Sequence, residues 1–243
     1  MKPWPYPKWI AHRGAGKLAP ENTLAAFRLG ATHGYRMFEC DAKLSSDGVV
    51  FLLHDEHLER TTNGTGVAGS HGWSHLSQLD AGSWHSAAYA GEAIPTLENV
   101  AHFCISHGYF LNIEIKPTAG TEALTGTTVA KEAMRLWQGE SILPLLTSFK
   151  TEALVAAKKA APFLPRGLLL HSLWDGWLET ALELECVAIV CNYQLWNQEL
   201  VETVHAQHMQ CLSYTVNEPD IADSLNALGT NGIITDTVDK LGA

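Results

Sequence analysis

Short apolar segments alternate with longer amphipathic segments along this sequence. Strands are predicted at residues 9–12, 35–44, 109–115, 142–148, 166–170, 187–191, 209–216 and 232–235. Helices are predicted near residues 22–34, 95–106, 128–137, 151–160, 174–184, 198–207 and 218–227. This α/β alternation predicts a TIM-type (β/α)8 barrel. A doubly wound sheet is the alternative, but Arg13-Gly14-Ala15-Gly16 lacks the GxGxxG spacing of a dinucleotide-binding turn.

A hairpin interrupts the alternation after the second predicted strand. Asp47-Gly48 is typical of a tight two-residue turn, and the apolar run at 49–54 predicts a returning strand. A two-residue turn pairs Ser46 with Val49, and this register places His54 opposite Asp41. The hairpin therefore predicts that His54 lies close to a carboxylate on the neighbouring strand.

A polar, glycine-rich insertion follows the second strand and its hairpin, at about residues 55–94, with helical character only at 73–79. A connection of this length in a compact protein usually forms a lid, a binding element or a small subdomain. The amount of apolar sequence is sufficient for one large core. We therefore expect one barrel domain over residues 1–243 that includes this insertion.

Composition and charge exclude several classes of protein. The chain is 46% hydrophobic and 17% charged, as in compact folded proteins. Its net charge is −10, and it has no cluster of Lys or Arg, so nucleic acid is not an expected partner. It has neither a secretory leader pattern at its start nor an apolar run of about 18 residues, the length that spans a bilayer. We expect a cytoplasmic protein without membrane insertion, in which the five cysteines are mostly buried.

Charged and polar residues gather at the carboxyl ends of the predicted strands, where barrels place their active sites. Glu39 and Asp41 are two residues apart on one strand and share a face, as Glu114 and Lys116 do at the next. His12 ends the first strand. The same kind of position is occupied by Ser148, Tyr214, Asn217 and Asp236. Taken singly, these residues could be surface ion pairs or a hydrogen-bonded core histidine; their convergence favours a site.

The residue types at these ends predict a reaction class. Three carboxylates, Glu39, Asp41 and Glu114, suit a hard divalent cation such as Mg2+ or Ca2+. Arg13 and Lys116 supply positive charge for a phosphate, and His12 and His54 are suited to proton transfer. This combination favours hydrolysis at a phosphoryl group. The sequence has no GxSxG and no HExxH motif.

Many short motifs resemble those of the glycerophosphodiester phosphodiesterases, in particular their compact cytosolic bacterial form. They run in the family's order over nearly the whole chain. The motifs are Ala11-His12-Arg13-Gly14, Pro20-Glu21-Asn22-Thr23, Glu39-Cys40-Asp41, Asp47-Gly48, His54-Asp55, Leu58-Glu59-Arg60-Thr61-Thr62, Leu79-Asp80-Ala81-Gly82-Ser83-Trp84, Ile94-Pro95-Thr96-Leu97, Ile113-Glu114-Ile115-Lys116-Pro117, Thr147-Ser148-Phe149, Tyr214-Thr215-Val216-Asn217 and Gly232-Ile233-Ile234-Thr235-Asp236.

The resemblance implies a TIM-type barrel with an insertion, and a set of residue roles. The implied reaction is hydrolysis of deacylated phospholipids, such as glycerophosphocholine and glycerophosphoethanolamine, to an alcohol and sn-glycerol 3-phosphate, using Mg2+ or Ca2+. The implied roles are metal ligands for Glu39, Asp41 and Glu114, acid and base for His12 and His54, phosphate contacts for Arg13 and Lys116, and substrate or supporting contacts for Glu21, Asn22, Tyr214 and Asn217.

Tyr214 departs from the family pattern, because many members have Trp at this position. An aromatic wall towards the glycerol is still expected there, although the added hydroxyl could shift the preferred alcohol. Two alternatives remain at this point: a related phosphodiesterase of intact lipids, which needs an apolar loop, and a binding or scaffold protein. The partner is expected to be a small glycerophosphodiester, and a homo-oligomer is compatible with the sequence.

Overall fold

A computed structural model describes residues 4–242 of the chain. Within that range the strands are β1 (Trp9–Ala11), β2 (Met37–Leu44), β3 (Val50–Leu52), β4 (Phe110–Ile115), β5 (Leu145–Ser148), β6 (Arg166–Leu170), β7 (Ala188–Asn192), β8 (Gln210–Tyr214) and β9 (Gly232–Thr235). All except β3 pair in parallel, in the order β1-β2-β4-β5-β6-β7-β8-β9, and β9 returns to β1. The predicted (β/α)8 barrel is confirmed.

Eight helices lie within residues 4–242, and all except the second, which lies in the insertion, cover the outside of this barrel. They are α1 (Leu24–Thr32), α2 (Trp73–Leu76), α3 (Leu97–His107), α4 (Glu122–Leu136), α5 (Thr151–Ala160), α6 (Trp177–Glu183), α7 (Gln198–Ala206) and α8 (Pro219–Leu228). Local sequence defines their ends: Thr96 and Asn99 form a capping box at the start of α3, and Gly108 ends it at φ 67°. No helix within residues 4–242 is long and apolar enough to span a membrane; the expected cytoplasmic location stays a prediction.

The core has two apolar layers that follow from strand alternation. Inside the barrel, at the end opposite the predicted site, Ile10, Met37, Leu145, Leu212 and Ile234 pack together. The opposite faces of the strands pack against the helices and form the larger clusters. All five cysteines are buried, as predicted. The barrel interior is therefore packed at the amino ends of its strands, and one cavity lies near their carboxyl ends.

The expected start of α4 was wrong, because the helix begins at Glu122 rather than near residue 128. The added turn contains Gly126, which packs against α5. A Cβ atom at this position would lie 2.2 Å from the backbone oxygen of Ala153. The glycine is needed here because two helix backbones approach closely.

The Gly126→Ala substitution is expected to destabilise the protein by roughly 1–3 kcal/mol, because the added methyl group must push α4 and α5 apart. Urea unfolding would measure the change. Exposed Lys131 on the same helix offers a matched control, since Lys131→Ala is expected to change stability by less than about 0.5 kcal/mol. A Gly126→Ala protein as stable as the control would contradict the close approach, because alanine normally favours a helix over glycine.

The hairpin after β2 has a different register from the predicted one. The N–H of Leu53, not of His54, reaches Asp41, donating to its backbone oxygen at 3.0 Å. The connection has three residues rather than two: Gly48 has φ 89°, and its N–H donates to the oxygen of Ser45. The predicted pairing of His54 with Asp41 was therefore wrong by one residue.

The insertion at about residues 55–94 has a small apolar core of its own. Leu58, Leu76 and Ile94 pack there against Phe51 and Leu53 of the hairpin. Regular helix is limited to α2 and two short 3-10 turns. The insertion is also tied to the barrel by polar contacts, which the sections below use.

Candidate active site

The acidic residues converge because of the register between β2 and β4. These strands are parallel neighbours, and Asp41 pairs directly with Glu114. Glu39 lies two residues before Asp41 and therefore shares its face. The side chain of Cys40 turns the other way, into the apolar layer beneath the helices. Three carboxylates from two strands thus face one another inside the mouth of the barrel.

These three carboxylates can each place one oxygen within 4.8 Å of the others. Burial and the charge of Asp41 raise the pKa of Glu39 to about 8. The same two causes raise the pKa of Glu114. One carboxylate oxygen of Asp41, Oδ1, is buried and accepts no hydrogen bond. Such a group fits a divalent cation, which would remove the mutual repulsion and give Oδ1 a partner.

Two basic side chains border the acidic group. Arg13 Nε lies 3.1 Å from Asp41 Oδ2, and its backbone N–H donates to Glu39 Oε2 at 3.1 Å. Lys116 Nζ lies 2.9 Å from Glu114 Oε1 and 3.4 Å from Asp41 Oδ1. Burial alone would raise the pKa of Asp41, but these two positive charges outweigh it and hold that pKa below its usual range. Asp41 is therefore the carboxylate whose pKa is lowered, whereas the pKa values of Glu39 and Glu114 are raised.

His12 is held by a carboxylate that follows the last strand of the barrel. Its Nδ1 lies 2.6 Å from Oδ1 of Asp236, which follows β9, and its Nε2 lies 3.7 Å from Glu39. Asn217 fixes Asp236 by accepting its backbone N–H at 2.9 Å and by donating to its Oδ2 at 3.3 Å. Burial lowers the pKa of His12, but the bond to Asp236 and the charge of Glu39 outweigh it and raise that pKa.

His54 is held in the same way by its neighbour. Its Nδ1 lies 2.7 Å from Asp55 Oδ1, and the histidine side chain is 30% exposed. Burial lowers the pKa of His54 more than the charge of Asp41 raises it. Although the hairpin register differs from the predicted one, His54 still lines the same cavity as Glu39 and Glu114. Each histidine thus has Nδ1 occupied and Nε2 left for another partner.

One cavity brings together most of the predicted site residues. Its lining includes His12, Arg13, Glu39, His54, Glu114, Lys116 and Tyr214, together with Phe149. Asp41, Glu21 and Asn22 lie outside this lining and contact Arg13. Asn217 lies further out and contacts Asp236, the partner of His12. Seven of the predicted site residues therefore line one cavity, and the roles predicted for them stay predictions.

Glu21 and Asn22 support the basic and acidic groups. The side-chain amide of Asn22 donates to Asp41 Oδ2 at 2.8 Å, and its oxygen accepts the backbone N–H of Asp41 at 3.1 Å. Glu21 Oε1 accepts from Arg13 Nη1 at 2.9 Å. The helix cap is Thr23, whose side chain accepts from Ala26. Asn22 is therefore free to orient Asp41 rather than to cap α1.

Aromatic rings form one side of the cavity. Tyr214 and Phe149 meet edge to face, with ring centres 5.7 Å apart. The hydroxyl of Tyr214 donates to the backbone oxygen of Leu170 at 3.1 Å, and the Tyr214–Thr215 peptide bond is cis. The ring of Tyr214, rather than its hydroxyl, therefore faces the open space.

Sequence reasoning gave no role to Asp55, Asp236 or Phe149. A signal for Asp236 was present, because a closed barrel must place its last strand beside its first, and His12 ends that first strand. Asp55 directly follows His54, but adjacency alone does not show that two side chains meet. Phe149 follows β5, and only the packed structure shows its ring against Tyr214.

Comparisons with known proteins agree with this geometry. The sequence matches the model of the glycerophosphoryl diester phosphodiesterase family over residues 12–240. It is 34% identical to the glycerophosphodiester phosphodiesterase of Caldanaerobacter subterraneus subsp. tengcongensis, over 96% of this chain and 95% of the relative. It is 30% identical to the glycerophosphodiester phosphodiesterase of Bacillus subtilis, over 95% of this chain and 83% of the relative.

Solved structures show the same barrel. A phosphodiesterase from Oleispira antarctica, in complex with the product sn-glycerol-3-phosphate, has a TM-score of 0.90 at 32% identity, covering 97% of this chain and 95% of that one. A glycerophosphodiester phosphodiesterase from Agrobacterium tumefaciens has a TM-score of 0.80 at 26% identity, covering 96% of this chain and 97% of that one.

Proposed function

Because the chain belongs to the glycerophosphoryl diester phosphodiesterase family, we propose that it hydrolyses glycerophosphodiesters to an alcohol and sn-glycerol 3-phosphate. Glycerophosphocholine and glycerophosphoethanolamine are the proposed substrates. The observation that carries the proposal is the single cavity that contains both histidines, two of the carboxylates and both cations. Hydrolysis of a phosphodiester needs positive charge near the phosphate oxygens, a proton acceptor and a proton donor. Arg13 and Lys116 supply the positive charge, and the two histidines supply the acceptor and the donor.

Glu39, Asp41 and Glu114 would hold one divalent cation, which we propose to be Mg2+ or Ca2+. All their donor atoms are oxygens, the ligands that these hard cations prefer. When bound, the cation would neutralise charge on the phosphoryl oxygens. Asn22 orients Asp41 through two hydrogen bonds, so that Oδ1 remains available for the cation.

Arg13 and Lys116 bind the nonbridging oxygens of the phosphate in this proposal. Arg13 offers a planar pair of donors, whereas Lys116 offers a point charge. The contacts of Lys116 with Glu114 and Asp41 keep its ammonium beside the carboxylate group. The diester is therefore bound by its phosphate, while the ring of Tyr214 forms a wall against which the glycerol carbons pack.

His12 and His54 divide the proton transfers. One Nε2 accepts a proton from the attacking oxygen as that oxygen bonds to phosphorus, and the other donates a proton to the alcohol oxygen as its bond to phosphorus breaks. The attacking oxygen is that of water, or that of the glycerol 2-hydroxyl, in which case water then opens the resulting cyclic phosphate; both routes need the same residues. Asp236 and Asp55 hold the two Nδ1 atoms. Both histidines thus present the same nitrogen to the cavity.

Release of glycerol 3-phosphate tests the proposal. Protein stripped with EDTA is expected to be inactive towards glycerophosphocholine and glycerophosphoethanolamine, and added Mg2+ or Ca2+ is expected to restore turnover of both. Wild-type protein that was never stripped serves as the control for irreversible loss. Unchanged turnover after chelation would contradict the cation, and no turnover with either metal in folded protein would contradict the substrate class.

A further inference from the structure

Arg60 makes a network that the proposed reaction does not use. It lies in the insertion, and its side chain is 45% exposed. Its Nε donates to Asp55 Oδ2 at 2.6 Å, and Nη2 donates to Asp55 Oδ1 at 2.9 Å. Nη1 donates to Glu21 Oε2 at 2.9 Å, and Nη2 donates to Glu21 Oε1 at 2.8 Å. One guanidinium therefore binds two carboxylates, each through two bonds.

Each of these carboxylates has a second partner that lines the cavity. Asp55 Oδ1 holds His54 Nδ1 at 2.7 Å, and Glu21 Oε1 holds Arg13 Nη1 at 2.9 Å. Arg60 itself does not line the cavity. It is therefore connected to His54 through one carboxylate and to Arg13 through the other.

The geometry of this exposed network makes it stronger and more directional than an ordinary surface ion pair. Single exposed pairs contribute little, because two long side chains must be held for a weak attraction in water. Paired bonds between a guanidinium and a carboxylate are stronger and fix direction as well as distance. Without Arg60, the carboxylates of Asp55 and Glu21 would repel each other, with only His54 and Arg13 as partners. We expect this repulsion to separate the two carboxylates and to displace the His54 and Arg13 side chains.

We propose that Arg60 is a positioning residue, which fixes His54 and Arg13 relative to each other through Asp55 and Glu21. The inference rests on the proposed function, because it concerns the proton-transfer group and the phosphate contact of that reaction. Asp55 and Arg60 belong to the insertion, whereas Glu21 lies between β1 and α1. In this proposal the insertion acts on the reaction through Asp55 and Arg60, neither of which lines the cavity.

The Arg60→Ala protein is expected to lose roughly 10- to 100-fold in kcat/KM, with most of the loss in kcat, because a misdirected His54 slows the chemical step. Arg135→Ala is the matched control. Arg135 is also exposed and also binds two carboxylates, Glu98 and Glu132, on the helical surface away from the cavity. If Arg60→Ala and Arg135→Ala have equal melting temperatures, the loss of activity in Arg60→Ala does not come from loss of stability.

Two further readouts distinguish positioning from a purely structural role. Imidazole 1H–15N spectra of the Mg2+-loaded protein should show His54 protonated on Nδ1 in the wild type and in Arg135→Ala, and as a mixture of tautomers in Arg60→Ala. The His54→Gln protein assigns the signal. Millimolar guanidinium should restore part of the Arg60→Ala activity, since this position is open to solvent, whereas NaCl at equal ionic strength should not.

The Arg60→Lys protein should lie between the wild type and Arg60→Ala, because an ammonium keeps the charge but cannot bind both carboxylates in pairs. The proposal is overturned if Arg60→Ala keeps more than half of the wild-type kcat/KM. It is equally overturned if activity falls while the His54 tautomer stays unchanged and guanidinium restores nothing. Failure of the proposed function looks different: the wild type would release no glycerol 3-phosphate, while the tautomer change in Arg60→Ala would still be measurable.

Discussion

The Asp41→Asn protein is expected to lose glycerophosphodiester hydrolysis by on the order of 10³-fold, which corresponds to the several kcal/mol that a bound cation supplies. Asp41 is the most buried of the three carboxylates, at 1% exposed, and its pKa is held low by Arg13 and Lys116. Asp41 is therefore the proposed ligand whose negative charge is favoured by its surroundings. An amide in its place keeps the shape but removes that charge. Steady-state release of glycerol 3-phosphate measures the loss.

Metal binding provides a second measurement on the same protein, independent of turnover. The melting temperature of the wild type should rise when Mg2+ or Ca2+ is added, because a ligand that binds only the folded state stabilises it. Asp41→Asn should show little of this rise. Asp223→Asn, at an exposed position of α8, should behave as the wild type does. An Asp41→Asn protein with normal activity and a normal metal-dependent rise would contradict the proposed cation site.

The His54→Ala protein is expected to keep its fold and to lose roughly 100-fold or more in kcat/KM, the usual contribution of a general acid or base. Circular dichroism and the melting temperature check the fold, and initial rates on glycerophosphocholine check the activity. His75→Ala is the matched control, because His75 lies exposed in the insertion and stacks only on His71. More than a tenth of wild-type kcat/KM in His54→Ala would contradict an acid–base role.

A substrate with a good leaving group would separate the roles of the two histidines. A phenol acidic enough to leave as its anion needs no proton from the enzyme. A p-nitrophenyl diester of glycerol phosphate should therefore restore activity to only one of His12→Ala and His54→Ala, and that variant identifies the general acid. Restoration in both variants, or in neither, would contradict a division into one acid and one base.

The sequence predicted the barrel well because apolar runs of strand length are visible in the local sequence. Apolar runs of strand length separated by helices leave few arrangements that bury them all. The start of α4 was missed because glycine and threonine around residue 126 are typical of a loop. In the structure the glycine allows α4 to approach Ala153 on α5 closely, and this contact between two elements is contained in no local pattern.

The predicted site residues converged because strand ends in a barrel meet at one face. The hairpin register was wrong by one residue, since Asp47-Gly48 occurs both in two-residue turns and in longer ones with a left-handed glycine. The contact of His54 with Asp55 and the double contact of Arg60 could not be predicted in the same way. They depend on side-chain directions in loops, which only the packed structure determines.

The bond between His12 and Asp236 has a consequence for the order in which this protein becomes active. The two residues are 224 positions apart, one after the first strand of the ring and one after the last. Closing so long a stretch of chain is slow compared with forming local contacts. During synthesis, a chain that has emerged only through β8 lacks the partner of His12. Hydrolysis should therefore begin only when the ring has closed, so the first turnover would report that the barrel is complete.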